Sequence, residues 1–362
     1  MSKDSPKNIF YCANCLNMST RPRITFDKRG WCNACQWMEE KKNLNWDERL
    51  SRLDKLISKH KDKGPYDCLV AVSGGKDGSY VAHTLKTKYK LKVLSITVRP
   101  PLSLEIGEKN LKSFIKSGYD HIHVSPDSES MRTLDTIGFK EYSQGYYGWL
   151  ISIHTAVLRI ANNFGISLIF YSEDGEVEYG GGTEHQHEGV YGIDYMKKAY
   201  LNDTYSRVLN EASLTEKDSY WFKFPTKNME TLNDLEITHF SFYENWDPYR
   251  NYLVAKEFCG LEENEEGAIA TFTNFAQNDQ YLASLHYYLM YLKFGFGRAT
   301  QDAGIEIRRG AMTRDQAINL VKMYDGLSPK EFYEIYSDYY KISVQEFETY
   351  IDKFANKKKK LV

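Results

Sequence analysis

A short apolar run, Asp67–Val72, leads directly into the glycine-rich turn Ser73-Gly-Gly-Lys-Asp-Gly78, and a helical pattern follows at Ser79–Tyr89. An apolar run of this length before such a turn predicts a buried strand. Strands and helices continue to alternate after it. The further predicted strands are Lys92–Val98, His121–Val124 and Ser167–Tyr171, and the predicted helices between them are Leu104–Ser117 and Trp149–Phe164. This alternation predicts βαβ units with right-handed crossovers, and therefore a doubly wound α/β domain built on a parallel sheet.

The chain divides into three segments by pattern. Residues 1–45 hold two cysteine pairs, residues 46–190 begin with an amphipathic helical pattern and hold the alternating elements, and residues 191–362 are rich in tyrosine. The third segment has a possible strand at Ile237–Tyr243 and is otherwise mostly helical. Its helical patterns are Tyr249–Phe258, Tyr281–Lys293, Thr313–Tyr324, Pro329–Tyr340 and Val344–Lys357. We expect this segment to pack on the sheet domain and to complete its cleft.

Composition excludes several classes of protein. The hydrophobic content of 42% and charged content of 27% are typical of a globular protein. A net charge of −2 gives no general attraction to nucleic acid or to anionic membranes. The first residues lack a signal-peptide pattern, and no run reaches the roughly 18 apolar residues of a membrane span. We therefore expect a cytoplasmic protein without a membrane span or a nucleic-acid partner.

The glycine-rich turn has the chemistry of a phosphate site. It joins a strand to a helix, where free backbone N–H groups and the helix dipole favour an anion. Its glycines permit close approach to phosphate oxygens, its hydroxyls donate hydrogen bonds, its lysine neutralises charge and its aspartate is suited to hold Mg²⁺. The predicted phosphate-binding residues are Ser73, Gly74, Gly75, Lys76, Asp77, Gly78 and Ser79, with Asp77 also the predicted Mg²⁺ ligand.

The order of residues in the turn separates it from the common nucleotide motifs. Val70 stands where a Walker P-loop has its first glycine, and Lys76 is followed by Asp77 instead of Ser or Thr. The Rossmann Gly-x-Gly-x-x-Gly spacing is also missing. The turn resembles the Ser-Gly-Gly-x-Asp-Ser pyrophosphate loop (PP-loop) of the ATP-pyrophosphatase superfamily, which cleaves ATP between the α and β phosphates. It departs from that loop at Gly78, and the hydroxyl comes one residue later, at Ser79.

Two C-x₂-C units lie near the start of the chain. Cys12 and Cys15 form the first, Cys32 and Cys35 the second, and 16 residues separate them. Each unit presents two thiolates, so the two together predict a tetrahedral four-sulfur site for structural Zn²⁺, with an iron–sulfur cluster as the alternative. A segment with so few apolar residues needs such a metal to fold.

Two polar segments follow the predicted fourth strand. The acidic run Ser172-Glu-Asp-Gly-Glu-Val-Glu178 begins at the carboxyl end of that strand, where open α/β sheets bind ligands. Acidic residues in this position are suited to hold Mg²⁺, a ribose or a sugar hydroxyl. We interpret Glu173 and Glu178 as candidate cofactor-binding residues, with Glu176 as a further candidate, whereas a solvated acidic loop is the alternative. His185 and His187 form a His-x-His that is more typical of a polar loop than of a catalytic metal site.

An arginine-rich segment lies in the last third of the chain. Phe294-Gly-Phe-Gly-Arg-Ala-Thr300 places two glycines around an aromatic residue and ends near Arg298, whose guanidinium is suited to a phosphate or carboxylate. We interpret Arg298 as a catalytic residue together with Lys76 and Asp77. The alternative is a turn between helices that carries surface charge.

Taken together, these segments resemble the N-acetyl sugar amidotransferase family of bacterial lipopolysaccharide and surface-glycan biosynthesis. The matching segments follow the family's order and span nearly the whole chain. They are the cysteine pairs with Thr20-Arg-Pro22 and Phe26-Asp27 between them, Ser73–Asp77, Glu178-Tyr-Gly-Gly181, Trp246-Asp-Pro-Tyr249, Phe294–Thr300 and Met312-Thr-Arg-Asp-Gln-Ala317. The resemblance implies an adenine nucleotide alpha hydrolase-like sheet, a zinc module, and ATP, Mg²⁺ and Zn²⁺ as cofactors.

The resemblance also implies a reaction. Members of this family are ATP-dependent carbon–nitrogen ligases that convert the acetamido group of a nucleotide-linked sugar into an acetamidino group. ATP adenylates the amide oxygen, ammonia displaces AMP, and pyrophosphate is released. The ammonia is implied to come from a glutaminase, through a cyclase-like channel partner that resembles the subunits of imidazole-glycerol-phosphate synthase.

Two other functions remain open on the sequence alone. The first is a PP-loop tRNA thiolase, since some of these enzymes carry cysteine-pair zinc modules. Such an enzyme needs a basic surface for RNA and usually further cysteines that carry sulfur, whereas this chain is near neutral and has only Cys68 and Cys259 besides the pairs. The second is a zinc-ribbon binding module with a nucleotide-sensing α/β domain, which the intact Ser-Gly-Gly-Lys-Asp turn argues against.

Overall fold

A five-stranded parallel sheet forms the centre of the protein. The structure, a computed structural model, describes residues 9–172, 176–201, 204–225 and 234–355. The strands are β1 (Cys68–Ala71), β2 (Val93–Val98), β3 (Asp120–Val124), β4 (Leu168–Tyr171) and β5 (Glu236–His239), and their spatial order is β3-β2-β1-β4-β5. All neighbouring pairs run parallel. The parallel α/β sheet predicted from the alternating pattern is therefore confirmed.

The side chains of the central strands are buried on both faces, which explains their nearly continuous apolar sequence. Leu69 of β1 packs in one core with Leu94 and Ile169, whereas Cys68 and Val70 pack in a second core on the opposite face. This separation follows from the two-residue period of a strand. Helices cover both faces, so the sheet is doubly wound.

The helices of the first two segments frame this sheet. They are α1 (Asn33–Lys41), α2 (Trp46–His60), α3 (Lys76–Thr87), α4 (Glu105–Lys116), α5 (Ser128–Tyr142) and α6 (Tyr147–Asn163). The predicted amphipathic helix corresponds to α2, which buries Leu53, Leu56 and Ile57. Helix α6 lies against the first core and α3 against the second. Sequence patterns did not predict α5, whose N-terminus is capped by the Asp127 carboxylate, 2.8 Å from the N–H of Ser130.

In the described residues between β4 and β5 there are two further helices and a π-helical turn. They are α7 (Ile193–Met196), the π-helical turn Lys197–Leu201 and α8 (Tyr205–Ala212). Single 3₁₀ turns occur at Glu176–Tyr179, Tyr220–Phe222 and Phe240–Phe242. The possible strand at Ile237–Tyr243 is thus a strand over its first half and a 3₁₀ turn over its second. Because β5 pairs with β4, the sheet extends into the segment 191–362.

The rest of that segment is mostly helical over the described residues 248–355. Its helices are α9 (Pro248–Cys259), α10 (Leu282–Phe294), α11 (Arg298–Arg308), α12 (Arg314–Tyr324), α13 (Tyr333–Tyr340) and α14 (Val344–Phe354), with a 3₁₀ turn at Lys330–Phe332. A third core of leucines and aromatic rings joins α10, α13 and α14 to Phe139 of α5. Among the described helices, none is long and apolar enough to cross a membrane.

Candidate functional site

A cavity of about 480 Å³ opens at the carboxyl ends of β1, β2 and β4. Its wall includes Val72 and Ser73 after β1, Arg99 after β2, and Ser172 after β4. Strand order reverses at β1, because β2 lies on one side of it and β4 on the other. Ligands of open α/β sheets bind at this kind of position. Residues 275–298 border the cavity from another side, so the third segment does contribute to the cleft.

The glycine-rich turn is part of this wall, and Gly74 determines its shape. Its φ of +82° lies in the left-handed region that glycine adopts without strain. A Cβ atom at Gly74 would lie 2.4 Å from the backbone N of Leu111 in α4. The turn therefore needs glycine both for its backbone conformation and for its close contact with α4. It leads into α3, which begins at Lys76, so the first N–H groups of that helix have no helical acceptor.

We expect Gly74→Ala to lower the thermal stability of the protein. A left-handed φ costs an L-residue about 1–2 kcal/mol, and the backbone of Leu111 leaves no space for the added methyl group. The matched control is Gly165→Ala, since Gly165 also has a positive φ but would have no atom within 4 Å of its Cβ. Thermal unfolding should show a clearly larger loss for the first variant than for the second. Equal losses would contradict the close contact with α4.

Lys76 and Asp77 stand side by side at the start of α3. The ammonium of Lys76 contacts the Asp77 carboxylate, and both residues line the cavity. The other oxygen of Asp77 accepts a hydrogen bond of 2.8 Å from the side-chain amide of Asn251, which is completely buried in α9. Asp77 therefore has a fixed orientation, and each carboxylate oxygen keeps a further lone pair for a cation.

Gly78 borders the cavity and packs against the end of β1, whereas Ser79 faces away from the cavity. A Cβ at Gly78 would lie 3.0 Å from Cα of Val72, so glycine at this position lets α3 approach β1 closely. Ser79 is completely buried, its hydroxyl has no hydrogen-bond partner among the described residues, and it is not part of the cavity wall. The structure therefore does not bring the Ser79 hydroxyl to the predicted phosphate position, because α3 already begins at Lys76 and turns that side chain inward.

The four cysteines of the two pairs converge on one point. All four are completely buried, and their sulfur atoms lie within 4.8 Å of one another. Three of the sulfur pairs are 3.6–3.7 Å apart: Cys12–Cys35, Cys15–Cys32 and Cys32–Cys35. A tetrahedral ion with metal–sulfur bonds of about 2.3 Å holds its sulfurs about 3.8 Å apart. The cluster thus fits a single ion such as Zn²⁺, whereas an iron–sulfur cluster would need its thiolates farther apart.

Donors around the sulfur atoms complete the fit to a metal. The backbone N–H of Cys32 donates to Cys12 Sγ over 3.2 Å, and the side-chain amides of Asn14 and Asn17 donate to Cys35 and Cys32 over 3.3 and 3.4 Å. Such hydrogen bonds stabilise thiolates and orient metal ligands. Across the described residues, this is the one group of three or more potential ligands close enough to hold a metal ion.

The metal module is bound to the segment that follows β4. Glu178 accepts hydrogen bonds from Trp37 Nε1 (2.7 Å) and from the Lys41 ammonium (2.6 Å), both on α1. Asn17 and Asn33 donate to the carbonyls of Tyr179 and Gly181 over 3.2 and 2.5 Å. Glu178 therefore joins the module to the sheet domain and does not reach the cavity, contrary to its predicted cofactor binding.

The remaining acidic and histidine candidates are placed as follows. Glu173 lies outside the described residues, as does the side chain of Glu176. His185 pairs with Glu188, and His187 lies 3.1 Å from a carboxylate oxygen of Glu40 on α1. The His-x-His is thus part of the polar contact with the module and does not belong to a group of metal ligands in the described chain.

Comparison with known proteins assigns the last part of the chain. Residues 269–360 match the family described as "LPS biosynthesis protein WbpG-like, C-terminal domain". We call residues 269–360 the WbpG-like domain after this similarity. This match confirms the resemblance to a lipopolysaccharide-biosynthesis family over that range.

The chain was also compared with curated proteins and with solved structures. No curated protein matches the chain. One solved structure that matches the chain is the U34-tRNA thiolase NcsA from Methanococcus maripaludis with its 4Fe-4S cluster. It is 12% identical, 76% of this chain and 80% of that chain are covered, and the TM-score is 0.31.

The WbpG-like domain contributes Arg298 to the cavity wall, at the first residue of α11. Its Nε lies 2.9 Å from a carboxylate oxygen of Asp302, one helical turn later. Burial alone would lower the pKa of Arg298, but the neighbouring carboxylate of Asp302 raises it well above its ordinary value. The guanidinium is therefore a permanent cation at the point where the WbpG-like domain meets the sheet domain.

The end of the cavity that lies against α6 is aromatic and uncharged. Trp149 donates from its indole N–H to the carbonyl of Val98 over 3.1 Å, and the imidazole of His154 stacks on Tyr200 at 5.1 Å. Burial, together with the nearby His239, lowers the pKa of His154 to about 3, so this ring is neutral. Its Nε2 has no hydrogen-bond partner among the described residues. A planar, uncharged part of a ligand suits this end, and the charged turn suits phosphates.

Several residues at or next to the cavity gave no separate signal in the sequence. Asn251 lies in the helix that follows the Trp246–Tyr249 motif, and its function depends on a contact with Asp77, 174 residues away. Arg21 belongs to the Thr20–Pro22 segment between the cysteine pairs, which matched the family pattern but was given no function from the sequence. The aromatic residues of α6 were predicted as helix alone. These assignments depend on long-range contacts, which single-sequence patterns do not contain.

Proposed function

We propose that this chain is a PP-loop ATP-pyrophosphatase that activates the acetamido group of a nucleotide-linked sugar for amidine formation. The observation that carries the proposal is the position of the Ser73–Gly78 turn, at a topological switch point, in a cavity bordered by a WbpG-like domain. The first feature supports ATP as a substrate, and the second supports a place in lipopolysaccharide biosynthesis.

The proposed reaction has two balanced steps. In the first, the amide oxygen of the acetamido group attacks the α-phosphorus of ATP, the bond to the β-phosphate oxygen breaks, and pyrophosphate leaves with that electron pair. In the second, ammonia attacks the imidate carbon, AMP leaves with the former amide oxygen, and a proton is released to solvent. The chemistry needs adenylylation because an amide oxygen is a poor leaving group, whereas AMP is a good one.

The residues of the turn serve the first step. The N–H groups at the start of α3 and the ammonium of Lys76 stabilise the charge that develops on the leaving pyrophosphate. Asp77 would hold Mg²⁺, because its carboxylate is partly exposed to the cavity and is oriented by Asn251. The ion would neutralise phosphate charge when bound. Arg298 serves the same step by stabilising negative charge at the other side of the cavity.

Exclusion of water from the cavity serves the second step. The O-adenylyl intermediate reacts with water as well as with ammonia, so a cleft bordered by the WbpG-like domain and by the aromatic side chains of α6 favours amidine formation over hydrolysis. The uncharged end near His154 is suited to a ring of one of the two nucleotides.

The nitrogen is proposed to come from a separate glutaminase through a cyclase-like channel partner. Glutamine hydrolysis needs an accessible thiolate. Burial raises the pKa of the Cys68 thiol and also that of the Cys259 thiol, and both side chains are buried. The other four cysteines form the metal cluster. The thiols of the described residues thus provide no accessible nucleophile.

The same cysteines disfavour the tRNA thiolase alternative. A thiolase that carries sulfur on cysteine needs that cysteine at the nucleotide site. No cysteine belongs to the cavity wall of the described chain. Together with the similarity of residues 269–360 to the WbpG-like family, this favours glycan chemistry. We place the reaction in the cytoplasm, where ATP and nucleotide-linked sugars are made.

The proposal predicts AMP as the nucleotide product. The metal-loaded protein, given ATP, Mg²⁺ and ammonium chloride, should release AMP and pyrophosphate when a suitable UDP-, GDP-, dTDP- or CMP-linked N-acetyl sugar is added. Mass spectrometry should show a product in which NH replaces one oxygen. Turnover should rise toward alkaline pH, as more ammonium becomes ammonia, and glutamine should not replace ammonium. Release of ADP would exclude a PP-loop reaction, and AMP release without any sugar dependence would exclude this substrate class.

A further inference from the structure

A guanidinium of the metal module borders the cavity. Arg21 lies between the two cysteine pairs, directly after Thr20. It lines the cavity together with Arg298 of the WbpG-like domain. The module thus supplies a side chain to the site in addition to binding a metal.

The position of Arg21 is determined by contacts between the module and the segment before α11. The hydroxyl of Thr20 donates to the carbonyl of Phe294 over 2.5 Å. The guanidinium of Arg21 lies 5.3 Å from the ring centroid of Phe296, which is buried. Two residues after Phe296, Arg298 enters the same cavity. Arg21 and Arg298 therefore come from segments that contact one another, whereas Lys76 comes from the turn after β1.

The charges around the cavity favour a ligand with more than one phosphate group. Its cationic side chains are Arg21, Lys76, Arg99 and Arg298, and its carboxylates are Asp77, Glu108 and Asp279. In the described wall the four cations outnumber the three carboxylates by one, and the cations come from all three segments of the chain.

We propose that Arg21 is a binding residue for the diphosphate of the nucleotide-linked sugar. The inference rests on the proposed function and adds the residue that holds the second substrate. The triphosphate of ATP has the turn, the start of α3 and Lys76. A second diphosphate needs its own donors, and a guanidinium offers paired N–H groups that match two phosphate oxygens. Arg21 also makes nucleotide-sugar binding dependent on the folded metal module.

The test compares variants at two arginines of the same turn. Arg21→Gln removes the charge, Arg21→Lys keeps the charge but not the paired donors, and Arg23→Gln is the control, because Arg23 is exposed and does not line the cavity. Isothermal titration calorimetry on the metal-loaded full chain measures binding of ATP and of the preferred nucleotide-linked sugar. We expect Arg21→Gln to weaken sugar binding about tenfold or more, Arg21→Lys to be intermediate, and ATP binding to change in neither.

Each outcome supports or overturns the assignment. Equal weakening of ATP binding would place Arg21 at the ATP phosphates, and unchanged sugar binding would remove it from the site. Preference for a CMP-linked sugar, which has one phosphate, would contradict the proposal that Arg21 binds a diphosphate. A loss of bound metal or of thermal stability in Arg21→Gln would show a structural function instead. If the wild type bound none of the sugars, the proposed function would fail and this inference with it, whereas tight binding by both wild type and Arg21→Gln would refute Arg21 alone.

Discussion

Replacing Asp77 with alanine should abolish AMP formation while the protein stays folded. The carboxylate lies in the first turn of α3, lines the cavity, and is oriented by the buried amide of Asn251 over 2.8 Å. In the proposed reaction it holds the cation that offsets phosphate charge, and loss of one oriented electrostatic group at a reacting centre typically costs about 10²–10³ in turnover. We expect a loss at least that large. Asp77→Asn, which preserves shape but not charge, should be nearly as inactive.

The measurement separates charge from position. Asn251→Ala leaves the carboxylate in place but removes its orienting donor, so we expect a smaller loss and a higher Mg²⁺ concentration for half-maximal activity. Glu262→Ala is the surface control, since Glu262 forms an ion pair with Lys109 in which both side chains are about half exposed. AMP release, circular dichroism and thermal unfolding should be measured for all four variants. Wild-type AMP release by Asp77→Ala would exclude the proposed function of the turn.

The sheet was largely predictable from sequence because its signals are local. Four apolar runs between turn residues correspond to β1, β2, β3 and β4, and each strand ends within two residues of the predicted end. The predicted range was least accurate for the last strand, β5. Its predicted range, Ile237–Tyr243, continued past His239 because the aromatic residues that follow are buried like strand residues, although they form a 3₁₀ turn.

Helices that lack a simple apolar period were harder to predict. Helix α5 buries Ser130, Asp135 and Gly138 alongside its apolar residues, so the sequence of its buried face lacks a continuous hydrophobic pattern. Asp135 is inside because it accepts hydrogen bonds from the N–H groups of Gly148 and Trp149 at the start of α6. Burial of a polar residue is favourable only with such partners, and the partners are known only from the fold.

The candidate site shows the same division between local and distant information. Ser73, Gly74, Gly75, Lys76, Asp77 and Gly78 were predicted together because they are contiguous. By contrast, Glu178 satisfied the pattern of an acidic residue after a strand, yet its carboxylate pairs with Trp37 and Lys41 of the module. Its partners lie more than 130 residues earlier in the chain, so the sequence alone could not distinguish a ligand contact from a contact between segments.

Cys32→Ser should yield protein without bound metal and without activity. The four sulfur atoms are completely buried and three of their pairs are 3.6–3.7 Å apart, so thiolates this close need a cation between them. Structural zinc contributes about 10–16 kcal/mol of apparent binding energy in zinc-finger peptides, which is more than the total stability of most domains. Loss of one ligand should therefore unfold the module. Activity should fall with it, because the module holds Arg21 at the cavity wall.

Cys68→Ser and Cys259→Ser are the matched controls, since both change a buried cysteine outside the cluster. They should lower thermal stability but retain about one metal ion per chain. Elemental analysis and the visible absorption spectrum then identify the metal. The sulfur spacing predicts colourless protein with zinc, whereas a brown protein with iron and inorganic sulfide would refute the single-ion assignment. A soluble, metal-free Cys32→Ser protein that still forms AMP would show that the site does not need the module. In that case the α/β domain and the WbpG-like domain would be sufficient to enclose the cavity.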